Sequence, residues 1–156
     1  DYNQYYDSLT GLDAKAAITL GNDWKDLAPK IKTHVTPTEV IFEFPDGRTV
    51  KKNLPADSFY VAIAPYINNT HECSQHYPSS CDGEIKVKSF NVKATDENDN
   101  ITFNGRINTL KNGFFELWLP RNKNVTLQIE YNSLIGTETI STNNDSRTCI
   151  TSIKLQ

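Results

Sequence analysis

The chain has 156 residues, 37% hydrophobic and 10% aromatic, which suits one globular domain, or a compact body with a small appendage, and needs no staples to build a core. The net charge of -3 and pI of about 5.6, with lysines and arginines scattered rather than striped, argue against a nucleic-acid partner. The longest apolar stretch, Phe59 to Ile67, is too short to cross a bilayer, and the absence of methionine with an aspartate at position 1 fits a mature chain whose leader has been removed, or a trimmed one.

The N-terminal part reads as helical. Asp1 to Leu9 is polar and aromatic, and its tyrosines Tyr2, Tyr5 and Tyr6 offer an exposed surface for a homodimer. Gly11 breaks this stretch, and Asp13 is placed to cap a helix through Ala14, Ala16, Ala17, Ile18 and Leu20. Gly21 and Asn22 punctuate, and Asp23 to Ile31 gives a second short helix that Pro29 must end or kink. His34 falls in a loop and reads as surface.

From Thr36 the period changes. Val40, Phe42 and Phe44 alternate, Pro45-Asp46-Gly47 is turn chemistry, and Thr49 to Leu54 returns as the second arm of a hairpin. Phe59 to Ile67 (FYVAIAPYI) is apolar on both faces and reads as a buried strand, with Pro65 at its end or on an edge. Further on, Ile85 and Val87 are out of phase with Phe90 and Val92, so a bulge or break is expected near Ser89. Ile101 and Phe103 precede Asn104-Gly105. Lys111-Asn112-Gly113 turns into FFELWLP, with Phe115, Leu117 and Leu119 on one face. Val125, Leu127, Ile129 and Tyr131 alternate with polar residues, and RTCITSIKL is the last strand, with Cys149, Thr151, Ile153 and Leu155 on one face. The predicted class is α+β: a small helical N-terminal part with a hairpin (1–56), then a β-rich domain (57–156) resembling an antiparallel sandwich.

The chemistry concentrates in the loop THECSQHYPSSCDGE (70–84), with two of three cysteines and two of three histidines. Cys73 and His76 are three apart and would share a face of one helical turn. Pro78-Ser79-Ser80 can bring Cys81 back toward Cys73, and Gly83 releases the chain into the next strand. Thiolates favour Cu(I), Zn(II) or iron–sulfur clusters, and imidazole suits copper and zinc. Cys149 is the remaining sulfur, and with it a Cys3His set would be tetrahedral for zinc or offer a subset of sulfurs to Cu(I). The bland alternatives are a local Cys73–Cys81 disulfide, a core thiol at Cys149 and a solvated His71. Glu72, Asp82 and Glu84 flank the thiols as solvated charges, one of which could orient His76. No Gly-X-Ser-X-Gly elbow, HExxH helix or phosphate-cradling glycine loop is present.

The segment NTHECSQHYPSSCDGE (69–84), preceded by YVAIAPY and followed much later by TCITSIKL, resembles the CueP family of periplasmic copper-binding proteins over most of the chain. The resemblance implies a helical N-terminal part, a β-rich C-terminal domain and a bacterial cell-envelope location. It implies that Cys73, Cys81 and Cys149, with His76, form a copper site, with His71 the competing imidazole. It further implies copper tolerance, copper delivery to periplasmic superoxide dismutase, and thiol-driven reduction of Cu(II). Two thiols closing to a disulfide release two electrons, which makes an odd cysteine count useful. With no second redox motif in the chain, the scheme is stoichiometric unless a thiol reductase restores the thiols. The competing readings are an interaction domain with a stapled loop, and a structural zinc domain.

Overall fold

The structure is a computed structural model that describes residues 1–156. The aromatic N-terminus forms a short helix, α1 (Asn3–Ser8), followed by a longer one, α2 (Ala14–Leu27), capped as expected by Asp13, whose carboxylate accepts the Ala16 N–H at 2.8 Å. The expected break at Gly21-Asn22 does not occur, and the two short helices are one. Gly21 serves clearance: a Cβ there would lie 3.1 Å from Thr33 Cγ2 and 3.3 Å from Phe42 Cε2, so the bare backbone lets the helix settle against a sheet. Pro29 disfavours helical backbone at the residue before it, and α2 stops at Ala28. Tyr2, Tyr5 and Tyr6 are half-buried rather than fully exposed. Tyr5 meets Trp24 edge-on at 5.3 Å and Tyr6 meets Phe44 at 5.6 Å, because these rings cover the core of their own chain.

Three strands follow: β1 (Lys32–Val35), β2 (Glu39–Glu43) and β3 (Thr49–Asn53), paired antiparallel in that order. The β2–β3 hairpin turns at Pro45-Asp46-Gly47 as expected, with Gly47 at φ +93°. His34 is not in a surface loop. It sits half-buried on β1, opposite Ile41, and stacks on Tyr77 at 4.9 Å.

The remaining strands are β4 (Ser58–Ile63), β5 (Ser89–Asp96), β6 (Ile101–Asn108), β7 (Phe115–Pro120), β8 (Asn124–Tyr131), β9 (Leu134–Ser141) and β10 (Cys149–Ile150). They make a four-stranded antiparallel sheet, β6-β5-β8-β9, and a three-stranded sheet, β10-β4-β7. In the latter, β7 runs antiparallel to β4 and β10 runs parallel to it, Cys149 beside Ala62. β4 is the shared wall of two cores. Phe59, Val61 and Ile63 face the four-stranded sheet and pack with Phe115, Leu117, Phe90, Val92 and Leu127 to fill the sandwich. Tyr60, Ala62 and Ala64 face the other way, toward Ile18, Trp24, Val35 and Phe42. Burial on both faces explains why this strand reads as an unbroken apolar run. The fold is α+β with a β-rich C-terminal part, and no helix is long and apolar enough to cross a membrane.

Several local expectations change. Asn104-Gly105 lies inside β6 and makes no turn. The phase change before β5 is a break at Val87, which takes φ +53° and points to solvent. The last strand is regular only over Cys149–Ile150. Cys149 faces the helix-side core, while Ile153 and Leu155 enter the sandwich, so they do not share its face.

Candidate metal centre

The cysteine loop is tied down along its length. At its start, the Glu84 carboxylate accepts the amides of Ile67 at 2.7 Å, Asn68 at 3.2 Å and Asn69 at 2.8 Å. Next, Thr70 Oγ1 donates to Thr151 O and Thr151 Oγ1 donates to His71 O, clamping the loop to the segment after Cys149. The Ser74 carbonyl accepts the amides of Thr148 at 3.0 Å and Cys149 at 3.3 Å. Thr148 Oγ1 accepts the His76 N–H at 3.0 Å and donates to Val35 O, while Val35 N–H donates to His76 O at 2.8 Å. The amides of Ser80 and Cys81 both turn back to Tyr77 O, as the Pro78-Ser79-Ser80 chemistry suggested. Beyond them, Gly83 lies against Gly113: a Cβ at Gly83 would meet the Gly113 carbonyl oxygen at 2.6 Å, so only glycine permits this crossing. From the helix side, Lys25 Nζ donates to Cys81 O at 2.9 Å and pairs with Asp82 at 3.0 Å.

This framework brings all three sulfurs together. Cys73 and Cys149 form a disulfide with Cα atoms 5.6 Å apart, joining positions 76 residues apart in sequence. Cys81 is free and buried, its Sγ 3.6 Å from Cys73 Sγ. The local Cys73–Cys81 disulfide is therefore not the bond that forms. The parallel register of β10 on β4 delivers Cys149 to the base of the loop, where it meets Cys73. Burial pushes the Cys81 thiol up, against the Tyr77 N–H that donates to its sulfur at 3.3 Å and the nearby Lys25 charge, so it rests as the neutral thiol.

His76 is wholly buried, its ring 4.5 Å from that of Phe114 and 6.3 Å from that of Tyr60. Neither ring nitrogen has a hydrogen-bond partner. Burial, assisted by the Lys25 and His71 charges, lowers its pKa to about 3, so the ring is neutral and keeps a lone pair to give. No carboxylate orients it: Asp82 pairs with Lys25 and Lys86, Glu84 holds loop amides, and Glu72 is exposed. Nor do Cys73 and His76 share a helical turn. His76 makes a β-bridge to Val35, and an extended backbone carries it inward.

Two overlapping donor trios result. His71, Cys73 and Cys81 place their ligand atoms within 4.8 Å of one another, and so do His76, Cys81 and Cys149. The first lies at a surface depression of about 500 Å³ lined by His71, Cys73, Tyr77 and Cys81; the second is buried. Soft sulfur with neutral imidazole is a donor set for Cu(I) or Zn(II), once the disulfide is opened. Behind the inner trio lies a polar network absent from the sequence reading: Tyr60 Oη donates to Glu116 Oε2 at 2.6 Å, and Asn22 Nδ2 donates to the same oxygen at 3.1 Å. Burial raises the Glu116 pKa against the pull of these donors, and raises that of Tyr60 well above the phenol value. The signal was a lone acidic residue inside the apolar run FFELWLP.

A family model described as "Periplasmic copper-binding protein CueP" matches residues 20–154. A crystal structure of S.CueP is similar to this chain with a TM-score of 0.83 and 32% sequence identity, covering 96% of this chain and 93% of that one. No curated protein sequence matches the chain.

Proposed function

The chain belongs to the CueP family, described as periplasmic copper-binding protein, and from that premise we propose that it holds Cu(I) through Cys73, His76, Cys81 and Cys149 and reduces Cu(II) with its own thiols. One observation carries the reading. Three sulfurs and a neutral, unpartnered imidazole converge from two distant parts of the chain, which costs about 1–3 kcal/mol in unsatisfied polar surface if the imidazole binds nothing.

Cu(II) prefers nitrogen and oxygen donors and Cu(I) prefers sulfur, so a sulfur site stabilises the reduced ion. Two thiols, Cys73 and Cys149, give one electron each to two Cu(II) ions, release two protons and close to the disulfide. The Cys73–Cys149 bond supports this choice of thiols, because it joins the same two sulfurs. Cys81 then stays as a thiol beside an imidazole, and two-coordinate sulfur–nitrogen binding suits Cu(I), which accepts low coordination numbers. Renewal of the thiols requires an external dithiol reductase, and the cargo goes to a receiving protein of the same compartment, a periplasmic superoxide dismutase in the reading given by the family. On this account the protein is a stoichiometric carrier of the bacterial cell envelope rather than a turnover enzyme.

The test is an anaerobic titration of the fully reduced protein with Cu(I) against a competing chelator, beside Cys73→Ser, Cys81→Ser and Cys149→Ser. Cys81→Ser and Cys149→Ser are each expected to weaken binding at least about tenfold, Cys73→Ser to abolish Cu(II) reduction, and Cys81→Ser to leave reduction by Cys73 and Cys149 without retention of the product. Unchanged affinity in all three variants overturns the proposal. The disulfide itself favours one second reading, a stapled interaction domain, because a bridge over 76 residues is worth about 2–4 kcal/mol of stability. In that case a thiol count under denaturing, non-reducing conditions finds one free thiol that copper never consumes. A structural zinc domain would instead unfold when chelated.

A further inference from the structure

We propose that the centre has two stations sharing Cys81 Sγ: an outer one of His71, Cys73 and Cys81, through which copper enters and leaves, and an inner one of His76, Cys81 and Cys149, where it is stored. The inference rests on the copper-binding reading above and adds a route to it.

Burial separates the trios. His71 is exposed, Cys73 is half-buried, and both line the open depression. His76 and Cys149 are 0% exposed and Cys81 is 8% exposed, so the inner trio has no face of its own toward solvent. Cys81 is common to both and borders the depression. An ion reaching the inner trio from solvent therefore meets the outer trio first and passes by way of the shared sulfur. Moving inward, it keeps the bond to Cys81 Sγ, forms bonds to Cys149 and His76, and gives up those to Cys73 and His71. No step leaves it without a sulfur ligand. Such ligand-by-ligand exchange suits Cu(I), which tolerates two or three donors.

The second observation is His76. Its ring is buried with both nitrogens unpartnered, which marks it as a place for a ligand atom rather than a packed side chain. The spacing of the stations is built in: the threonine clamp fixes the main chain of His71 to Thr151, two residues beyond Cys149. The disulfide takes one sulfur from each station, so oxidation empties both of a donor at once. A dithiol reverses this. Its thiolate attacks one sulfur of the Cys73–Cys149 bond, its second thiol resolves the mixed disulfide, and both cysteines return as thiols while the dithiol becomes a disulfide.

The two histidines then do different work. With reduced, anaerobic protein and one equivalent of Cu(I), His71→Ala is expected to leave equilibrium affinity within about threefold and to slow transfer to an excess of chelator at least about tenfold. His76→Leu is expected to lower affinity at least about tenfold. Imidazole 15N resonances give an independent readout: Cu(I) shifts the ring nitrogens of His76 in the wild-type protein, and those of His71 in His76→Leu, where the ion is stranded outside. Circular dichroism checks the fold of each variant, and the exposed His71 arm stands even if His76→Leu misfolds. Equal affinity losses for the two histidines mean one undivided site and overturn the proposal. So does a His71→Ala protein with unaltered affinity and unaltered transfer rate. Affinity unchanged in all three cysteine-to-serine variants, by contrast, overturns the copper-site reading itself.

Discussion

Replacing His76 by leucine should make the protein more resistant to acid. The histidine has a pKa of about 3 in the fold, through burial first, against an ordinary value of 6.5. A depressed value means that the folded state binds fewer protons than the unfolded state, so unfolding takes up a proton and stability falls as pH drops below 6.5, down to about 3. The loss attributable to this one ring is negligible at pH 7.5, about 1.4 kcal/mol at pH 5.5 and about 2.7 kcal/mol at pH 4.5. Asp46, Asp82, Glu84 and Asp96 have lowered pKa values and weaken the fold in the same direction, so the wild-type curve alone does not isolate His76. The difference between His76→Leu and wild type does. Leucine fills the space between Phe114 and Tyr60 without a titrating or unsatisfied nitrogen. Urea unfolding of both metal-free proteins, with the disulfide kept closed, should show the gap moving by about 2.7 kcal/mol in favour of the variant from pH 7.5 to 4.5. Curves that stay parallel within about 0.5 kcal/mol over that range would show that His76 is not held neutral by burial.

Other perturbations test the framework that positions the ligands. Thr148→Val removes the hydroxyl between the His76 amide and the Val35 carbonyl, both buried, and is expected to cost about 1–3 kcal/mol in urea unfolding; no measurable cost would mean that this bridge does not hold the histidine segment. Gly83→Ala drives a methyl into the Gly113 carbonyl and should cost about 3 kcal/mol, read as a lowered melting temperature, whereas a neutral effect would show that the crossing is looser than drawn. Glu84→Gln weakens the grip on three loop amides, and hydrogen exchange at Ile67, Asn68 and Asn69 should speed up at least about tenfold while β8 is unaffected. Unchanged exchange there would assign the rigidity of the loop to the Thr151 clamp alone.

Much of this was legible in the chain because local chemistry decided it. Asp13 announces a cap, Pro45-Asp46-Gly47 a turn, and the alternation from Val125 to Tyr131 a strand with one buried face. The apolar run from Phe59 was readable as a doubly buried strand. What failed depended on partners distant in sequence. Gly21 looks like a helix breaker until Thr33 and Phe42 are placed beside it. Asn104-Gly105 has turn composition, yet pairing with Val92 and Lys93 on β5 keeps it extended. At the centre, residue chemistry singled out the cysteines and histidines that the fold brings together. The disulfide partner of Cys73 depended on a two-residue parallel strand, and the burial of His76 on a bridge to Val35, neither of which leaves a local signature.

The most direct measurement is X-ray absorption at the copper K-edge on the reduced protein loaded anaerobically with one equivalent of Cu(I). A first shell dominated by sulfur with an imidazole contribution, losing sulfur in Cys81→Ser, is the predicted result. A shell of nitrogen and oxygen only, identical in wild type and variant, would show that the three gathered thiols are not where the metal sits.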